Sequence, residues 1–258
     1  LITLYDEILD INSAENVTFE RITFSGSRAN GVKLTNCKNV VFDRCTFENI
    51  AQVTLSADSN CNGCGVKNSY VKNVFNGIYL SGNGAFVKNS VIENFGGECY
   101  TRAIAVNGNA TISRNTIRNS NHMAIQFSGN NNIIEYNDIS SVLQHTGDMG
   151  AIYAAQSGIS GNVIRYNYLH NIYSDKQFML STRMIYLDLE TSNVEIYNNV
   201  FEKTDGFGVC IANGDGNAVR SNVFISVSTP VYASGINGNK TFNMSSNVFL
   251  DCISKDVN

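Results

Sequence analysis

Apolar and polar positions alternate along this chain in short runs, and the runs return at a near-constant interval. The recurring phrase is an apolar residue, two variable positions, an asparagine, one more variable position and a second apolar residue, as in Ile164, Asn167 and Leu169. The asparagine slot falls at Ile22, Cys45, Asn68, Asn89, Asn115, Asn137, Asn167, Asn199, Asn222 and Asn247, so eight of the ten slots hold asparagine. Successive slots lie 23, 23, 21, 26, 22, 30, 32, 23 and 25 residues apart. A short alternating strand in each unit of about 22 residues is the mark of a solenoid. In a parallel stack each asparagine would rest on its equivalent in the next coil, where side-chain amides can hydrogen-bond along the column.

A second strand of constant form follows the asparagine phrase: GVKL from Gly31, QVTL from Gln52, GIYL from Gly77, AIAV from Ala103, AIQF from Ala124, AIYA from Ala151, MIYL from Met184, GVCI from Gly208 and PVYA from Pro230. Alternation puts Val32, Val53, Ile78, Ile104, Ile125, Ile152, Ile185, Val209 and Val231 in one inward stack. Leu34, Leu55, Leu80, Val106, Phe127, Ala154, Leu187, Ile211 and Ala233 form another. Lys33, Thr54, Tyr79, Ala105, Gln126, Tyr153, Tyr186, Cys210 and Tyr232, between them, point outward. The expected fold is all-β, a single-stranded right-handed parallel β-helix of the pectate-lyase-like kind. Ten coils at ~4.8 Å each give a rod roughly 48 Å long. The hand follows the general preference for right-handed parallel connections. One domain is expected over residues 1–258, because a solenoid grows by adding coils. Residues 1–16 are either a cap or a truncated first coil.

Composition agrees with this reading. A single Pro suits a chain made mostly of central strands. A net charge of −4 with no basic run argues against nucleic acid as a partner. No apolar run approaches a membrane span. No signal peptide is visible and the chain starts at Leu1, so a processed or shortened polypeptide is expected. Of the seven cysteines, Cys45 and Cys210 sit in repeat positions and read as packing residues. Cys61 and Cys64 form a CNGC corner, either two turn cysteines or a disulfide; zinc would need a second ligand pair, which is not visible.

The longer steps point to a site. Extra residues gather at one corner, before the second strand, in Asn94–Arg102, Ser140–Gly150 and Tyr173–Arg183, with the short corner Asn119–Met123 between the first two. Long loops around a short one should wall a groove on a rigid scaffold. Into it fall His122, His145, Asp148, Tyr100, Arg102, Arg183, Asp188 and Glu190. Asp188 is unusual for its slot, which elsewhere holds Thr35, Ser56, Ser81, Asn107, Ser128, Ala155, Ala212 and Ser234. Two carboxylates facing a sugar-sized gap suffice to cleave a glycosidic bond, one as acid and the other as nucleophile or base. Asp148 and Asp188 are the candidate pair, with Glu190 in reserve. In an extended chain they would lie roughly 20 Å apart, so the GDMG turn must fold Asp148 back. His122 could orient a carboxylate or bind a substrate hydroxyl; a structural histidine is the alternative. Gln126, Tyr153 and Tyr186 would offer a stacking and hydrogen-bonding surface, with His145 and Arg183 beside them.

The phrases SNHMAIQFSGNNNIIEYNDI, GDMGAIYAAQSGISGNVIRYNYLHNI and MIYLDLETSNVEIYNNVF resemble right-handed β-helix proteins of carbohydrate metabolism. The nearest group is the one containing glycoside hydrolase family 141, with α-L-fucosidase and xylanase activities. Its His before an A-I-x-F strand, Asp before G-A-I-Y and Y-L-D-D strand end fall on His122, Asp148 and Asp188. The resemblance implies catalytic roles for Asp148 and Asp188. An oligo- or polysaccharide partner, no cofactor, no metal, and a secreted, periplasmic or cell-surface location are expected. Leu189 replaces the second acid of Y-L-D-D, and the chain is shorter than such hydrolases. Two alternatives stand beside this. One is a polysaccharide lyase using Lys176, Arg183 or Arg102 as base, with Ca²⁺ neutralising a uronate. The other is a non-catalytic, glycan-binding or adhesive β-helix.

Overall fold

The computed structural model describes residues 5–97, 100–146, 148–173 and 182–253. Lys176, with the middle of the Tyr173–Arg183 corner, lies outside them, as do Glu98, Cys99 and Gly147. The strands pair in parallel throughout, sixteen in one sheet and ten in a second. One coil shows the plan. Ile133–Glu135 belongs to the smaller sheet, while Asp138–Ser140 and Gly150–Ala155 belong to the larger. The next coil repeats it with Asn162–Arg165, Tyr168–His170 and Arg183–Asp188. The architecture is a parallel β-helix of about ten turns.

The inward columns form as alternation requires. Ile104, Ile125, Ile152, Ile185 and Val209 are in register and fully buried, each burial stabilising by about 1.5–3 kcal/mol. Phenylalanines stack at both ends, Phe24 on Phe47 at 5.0 Å and Phe201 on Phe224 at 4.7 Å. One coil is slipped by two residues from the expected register. Leu55, not Val53, aligns with Val32 and Ile78, and Ser56 rather than Thr54 takes the outward place opposite Tyr79. Thr54 is buried, and its hydroxyl donates to the Asn76 carbonyl at 2.7 Å. A small polar residue can turn inward there because that hydrogen bond satisfies it.

The asparagine ladder runs through Asn115, Asn137, Asn167, Asn199, Asn222 and Asn247, each side-chain amide donating to the next carbonyl oxygen at 2.9–3.1 Å. Before Asn115 the interior slot belongs to Ser90, Ser69 and Cys45, not to Asn89 and Asn68. Asn68 and Asn89 instead occupy the preceding corner with φ of 52° and 50°, a left-handed conformation that asparagine tolerates better than most residues. A second interior ladder, unforeseen in the sequence, joins Ala110, Asn132 and Asn162 at the opposite corner.

The six cysteines among the described residues are free thiols. Cys61 and Cys64 are not disulfide-bonded; their sulfurs accept from the backbone N–H groups of Cys37 and Val40 at 3.3 and 3.4 Å. Burial pushes the Cys61 thiol up to about 12, which leaves it protonated and unreactive.

Candidate active site

In the flanking coils the two strands of the large sheet merge into one, as in Thr46–Ala57 and Val200–Ala212. In the middle coils corners separate them: Val91–Phe95 from Arg102–Asn107, and Asp138–Ser140 from Gly150–Ala155. The outward column Ala105, Gln126, Tyr153, Tyr186, Cys210, Tyr232 runs along the rod beside these corners. Tyr153 and Tyr186 face outward yet are each only 8% exposed, so they form a covered floor.

Asp188 ends its strand opposite Ala155. Its Oδ2 accepts from the Tyr153 hydroxyl on the neighbouring coil at 3.0 Å, and its Oδ1 from the Leu189 backbone N–H at 2.8 Å. Leu189 and Glu190 then take left-handed φ values of 45° and 63°, a strained pair for side chains of that size. Thr191 closes the turn by donating its N–H and hydroxyl to the Asp188 carbonyl at 3.0 and 2.6 Å. The carboxylate is thereby aimed along the floor. Leu189 itself is 63% exposed, so its departure from an acid leaves the Tyr153–Asp188 contact intact.

Asp148 reaches the next coil, where its Oδ1 lies 3.4 Å from Nη1 of Arg183. The Arg183 guanidinium lies over the Tyr186 ring, 4.4 Å from its centroid, and within 5.7 Å of that of Phe207. Gly150, paired with Arg183, has no room for a side chain, since a Cβ would meet Tyr186 at 2.8 Å. Asp148 thus contacts the start of the strand that Asp188 ends. Burial first, then the charge of Asp188, raises the Tyr153 phenol well above its ordinary value, with Asp148 adding to the effect. Tyr186 is raised by the same burial and by Asp188, against Arg183. Both phenols stay protonated as donors.

The remaining expected residues divide. His122 is buried and its Nδ1 donates to the Thr101 carbonyl at 3.0 Å. Burial, with Arg102 nearby, holds this imidazole below its ordinary value, so it is neutral with Nε2 left as an acceptor. Gln126 lines a cavity with Tyr79 and Asn107. His145 is exposed, its backbone N–H bonded to the Asn121 carbonyl at 3.2 Å. Glu190 is exposed and faces Lys240 at 4.0 Å, away from the Tyr153–Asp188 contact. Sequence reasoning missed Thr191 and Asn76. Their signal was a polar side chain just after or before an otherwise apolar strand. Among the described residues no group of three or more His, Cys, Asp or Glu could hold a metal ion.

The family model for right-handed β-helix regions matches residues 5–103 and 102–255. The chain belongs to the right-handed β-helix family. No curated protein matches it in sequence. Solved structures share the fold at low identity. The A-module of Azotobacter vinelandii mannuronan C-5 epimerase AlgE6 is 16% identical with a TM-score of 0.70, over 91% of this β-helix and 64% of that module. The GH136 lacto-N-biosidase of Eubacterium ramulus is 11% identical with a TM-score of 0.58, over 86% of this chain and 51% of that one. The tailspike of E. coli bacteriophage HK620, solved with a pentasaccharide, is 11% identical with a TM-score of 0.52, over 90% and 47%. The β-helix thus spans about half to two thirds of these proteins.

Proposed function

We propose that this β-helix acts on a glycan lying over Tyr153 and Tyr186, and that it hydrolyses a glycosidic bond with Asp148 and Asp188. The observation that carries the reading is the Tyr153–Asp188 hydrogen bond of 3.0 Å on a floor where Asp148, held by Arg183, also bears on the same phenol. Asp188 is the oriented carboxylate, suited to act as nucleophile or base. Asp148 is the solvent-reaching one and takes the proton-transfer role at the mouth. The two tyrosines form the covered base of that floor, where a sugar meets their hydroxyls and the Arg183 guanidinium over Tyr186. The neighbours support a sugar ligand by analogy of fold, as an epimerase of mannuronan, a biosidase and a tailspike holding a pentasaccharide. The finer resemblance to glycoside hydrolase family 141 makes fucosyl and xylosyl oligosaccharides the first substrates to test. Asp148→Asn and Asp188→Asn should each lower turnover by about 10²–10⁴-fold. Wild-type turnover in both variants would overturn the assignment.

A second reading, elimination on a uronate, has its own support. Tyr186 remains a protonated phenol with the Arg183 guanidinium 4.4 Å from its ring centroid, and a phenol donor next to a guanidinium suits proton transfer on an acidic sugar. The appearance of an unsaturated uronate in ultraviolet absorbance separates it from hydrolysis. Ca²⁺ would matter only to this second chemistry. A secreted, periplasmic or cell-surface location belongs to either reading, and detection in the culture supernatant or periplasmic fraction tests it.

A further inference from the structure

We infer that the floor continues from the Tyr153–Asp188 centre to an anion-binding subsite at Arg102, so that the glycan is an acidic one, charged through a carboxylate or a sulfate ester. This rests on the glycan-acting reading and names the substrate class for either chemistry there.

Most arginines on the flanks of the rod are already neutralised. Arg44, Arg118, Arg165 and Arg220 meet Glu20, Glu93, Glu135 and Glu195 on neighbouring coils at 2.7–2.8 Å. Arg102 differs. Among the described residues no carboxylate lies within ion-pair distance of it, and its Nε is buried without a hydrogen-bond partner, as is the adjacent Thr101 hydroxyl. The guanidinium is held in place all the same. It lies over the Tyr79 ring at 4.9 Å, and Tyr79 is fixed by donating its hydroxyl to Asn76 Oδ1 at 2.5 Å. A half-buried, stacked guanidinium with no carboxylate beside it is preorganised for a planar or tetrahedral oxyanion, which its terminal N–H groups can meet.

The surroundings fit a sugar carrying that anion. A cavity of about 220 Å³ opens beside Tyr79 and is lined by Ala105, Asn107, Gln126 and Ser128, whose amides and hydroxyl match ring hydroxyls. His122, bonded through Nδ1 to Thr101, keeps Nε2 as an acceptor near Arg102. Register ties the subsite to the reaction centre. Arg102 pairs with Met123, whose coil pairs with that of Gly150, which pairs with Arg183. Arg102 thus lies three coils from Arg183 on one column, roughly 14 Å along the rod, a span for a short oligosaccharide running parallel to the axis.

The test is titration calorimetry of wild type and Arg102→Gln against three probes: uronate oligomers, sulfated oligomers, and the same oligomers after carboxyl reduction or desulfation. Wild type should bind at least one anionic class roughly ten- to a hundredfold more tightly than its neutral counterpart. Arg102→Gln should erase that preference, so that charged and neutral oligomers bind with similar affinity. Which anionic class is preferred identifies the source of the charge. Equal binding of charged and neutral oligomers by wild type would overturn the subsite, and this arm needs no variant to fold. So would an anionic preference that survives in Arg102→Gln. Binding of no oligosaccharide at all would overturn the glycan-acting reading together with it.

Discussion

Replacing Asn167 with alanine interrupts the interior ladder midway along its run. Asn167 is 1% exposed. Its Oδ1 accepts from the backbone N–H and side-chain amide of Asn137 at 3.0 and 2.9 Å. Its Nδ2 donates to Asn199 Oδ1 and to the carbonyls of Ile134 and Arg165 at 2.9–3.0 Å. Alanine removes all five bonds. Asn137 Nδ2 keeps the Ile112 carbonyl and Asn199 Oδ1 keeps the Asn167 N–H, but the Asn137 N–H loses its acceptor. One orphaned buried N–H costs about 1–3 kcal/mol and the other lost bonds about 0.5–1.5 kcal/mol each, so a loss of about 3–5 kcal/mol is expected after partial relaxation. Asn89→Ala is the matched control. Asn89 is an exposed corner residue at φ 50°, and alanine there should cost only about 1–2 kcal/mol, from the left-handed backbone. Urea unfolding followed by far-ultraviolet circular dichroism compares the two at a common m-value. If Asn167→Ala and Asn89→Ala prove equally mild, the interior ladder does not carry the weight assigned to it.

Other consequences are as concrete. Tyr153→Phe should leave the melting temperature near wild type but lower turnover by about tenfold or more, since only the donor to Asp188 is lost; steady-state kinetics with a thermal melt checks both. Gly150→Ala should destabilise by about 1–3 kcal/mol, because the new Cβ would lie 2.6 Å from the Ile152 carbonyl and 2.8 Å from Tyr186; chemical denaturation measures it. His122 holds its imidazole below the ordinary histidine value through burial, so the unfolded chain takes up this proton first. Its contribution to stability is full above about pH 6.5 and falls as pH drops below that value. His122→Gln should flatten the stability profile over that interval. Cys61, pushed up to about 12 by burial, should resist thiol reagents at neutral pH until denaturant opens the coil.

The period and the inward columns were legible because both are one-dimensional. A solenoid converts sequence spacing directly into neighbourhood, so Ile125, Ile152 and Ile185 needed only alternation to be aligned. Asparagine was harder because it has two physical uses in this fold. It bonds along the interior, and it also tolerates the left-handed corner one residue earlier. Asn198 and Asn199 show both side by side, the first at φ 55° and the second in the ladder. At Asn68 and Asn89 only the corner use survives, with Ser69 and Ser90 behind them. The Thr54 slip was hidden because QVTL also reads as a strand one dipeptide early. Of the candidate site, the outward tyrosines and Asp188 followed from column position. The Asp148–Arg183 contact and the strained Leu189–Glu190 turn depend on loop backbone, which periodicity does not encode. The Arg102–Tyr79–Asn76 arrangement was illegible for another reason. It joins residues 23 and 26 positions apart whose side chains meet only once the coils stack.

The most direct measurement is a crystal structure of the Asp188→Asn variant soaked with an acidic oligosaccharide. Sugar rings should lie along the outward column, one against Tyr153 and Tyr186, with a charged group at Arg102. An oligosaccharide bound on the ten-stranded sheet, with that column left bare, would contradict this.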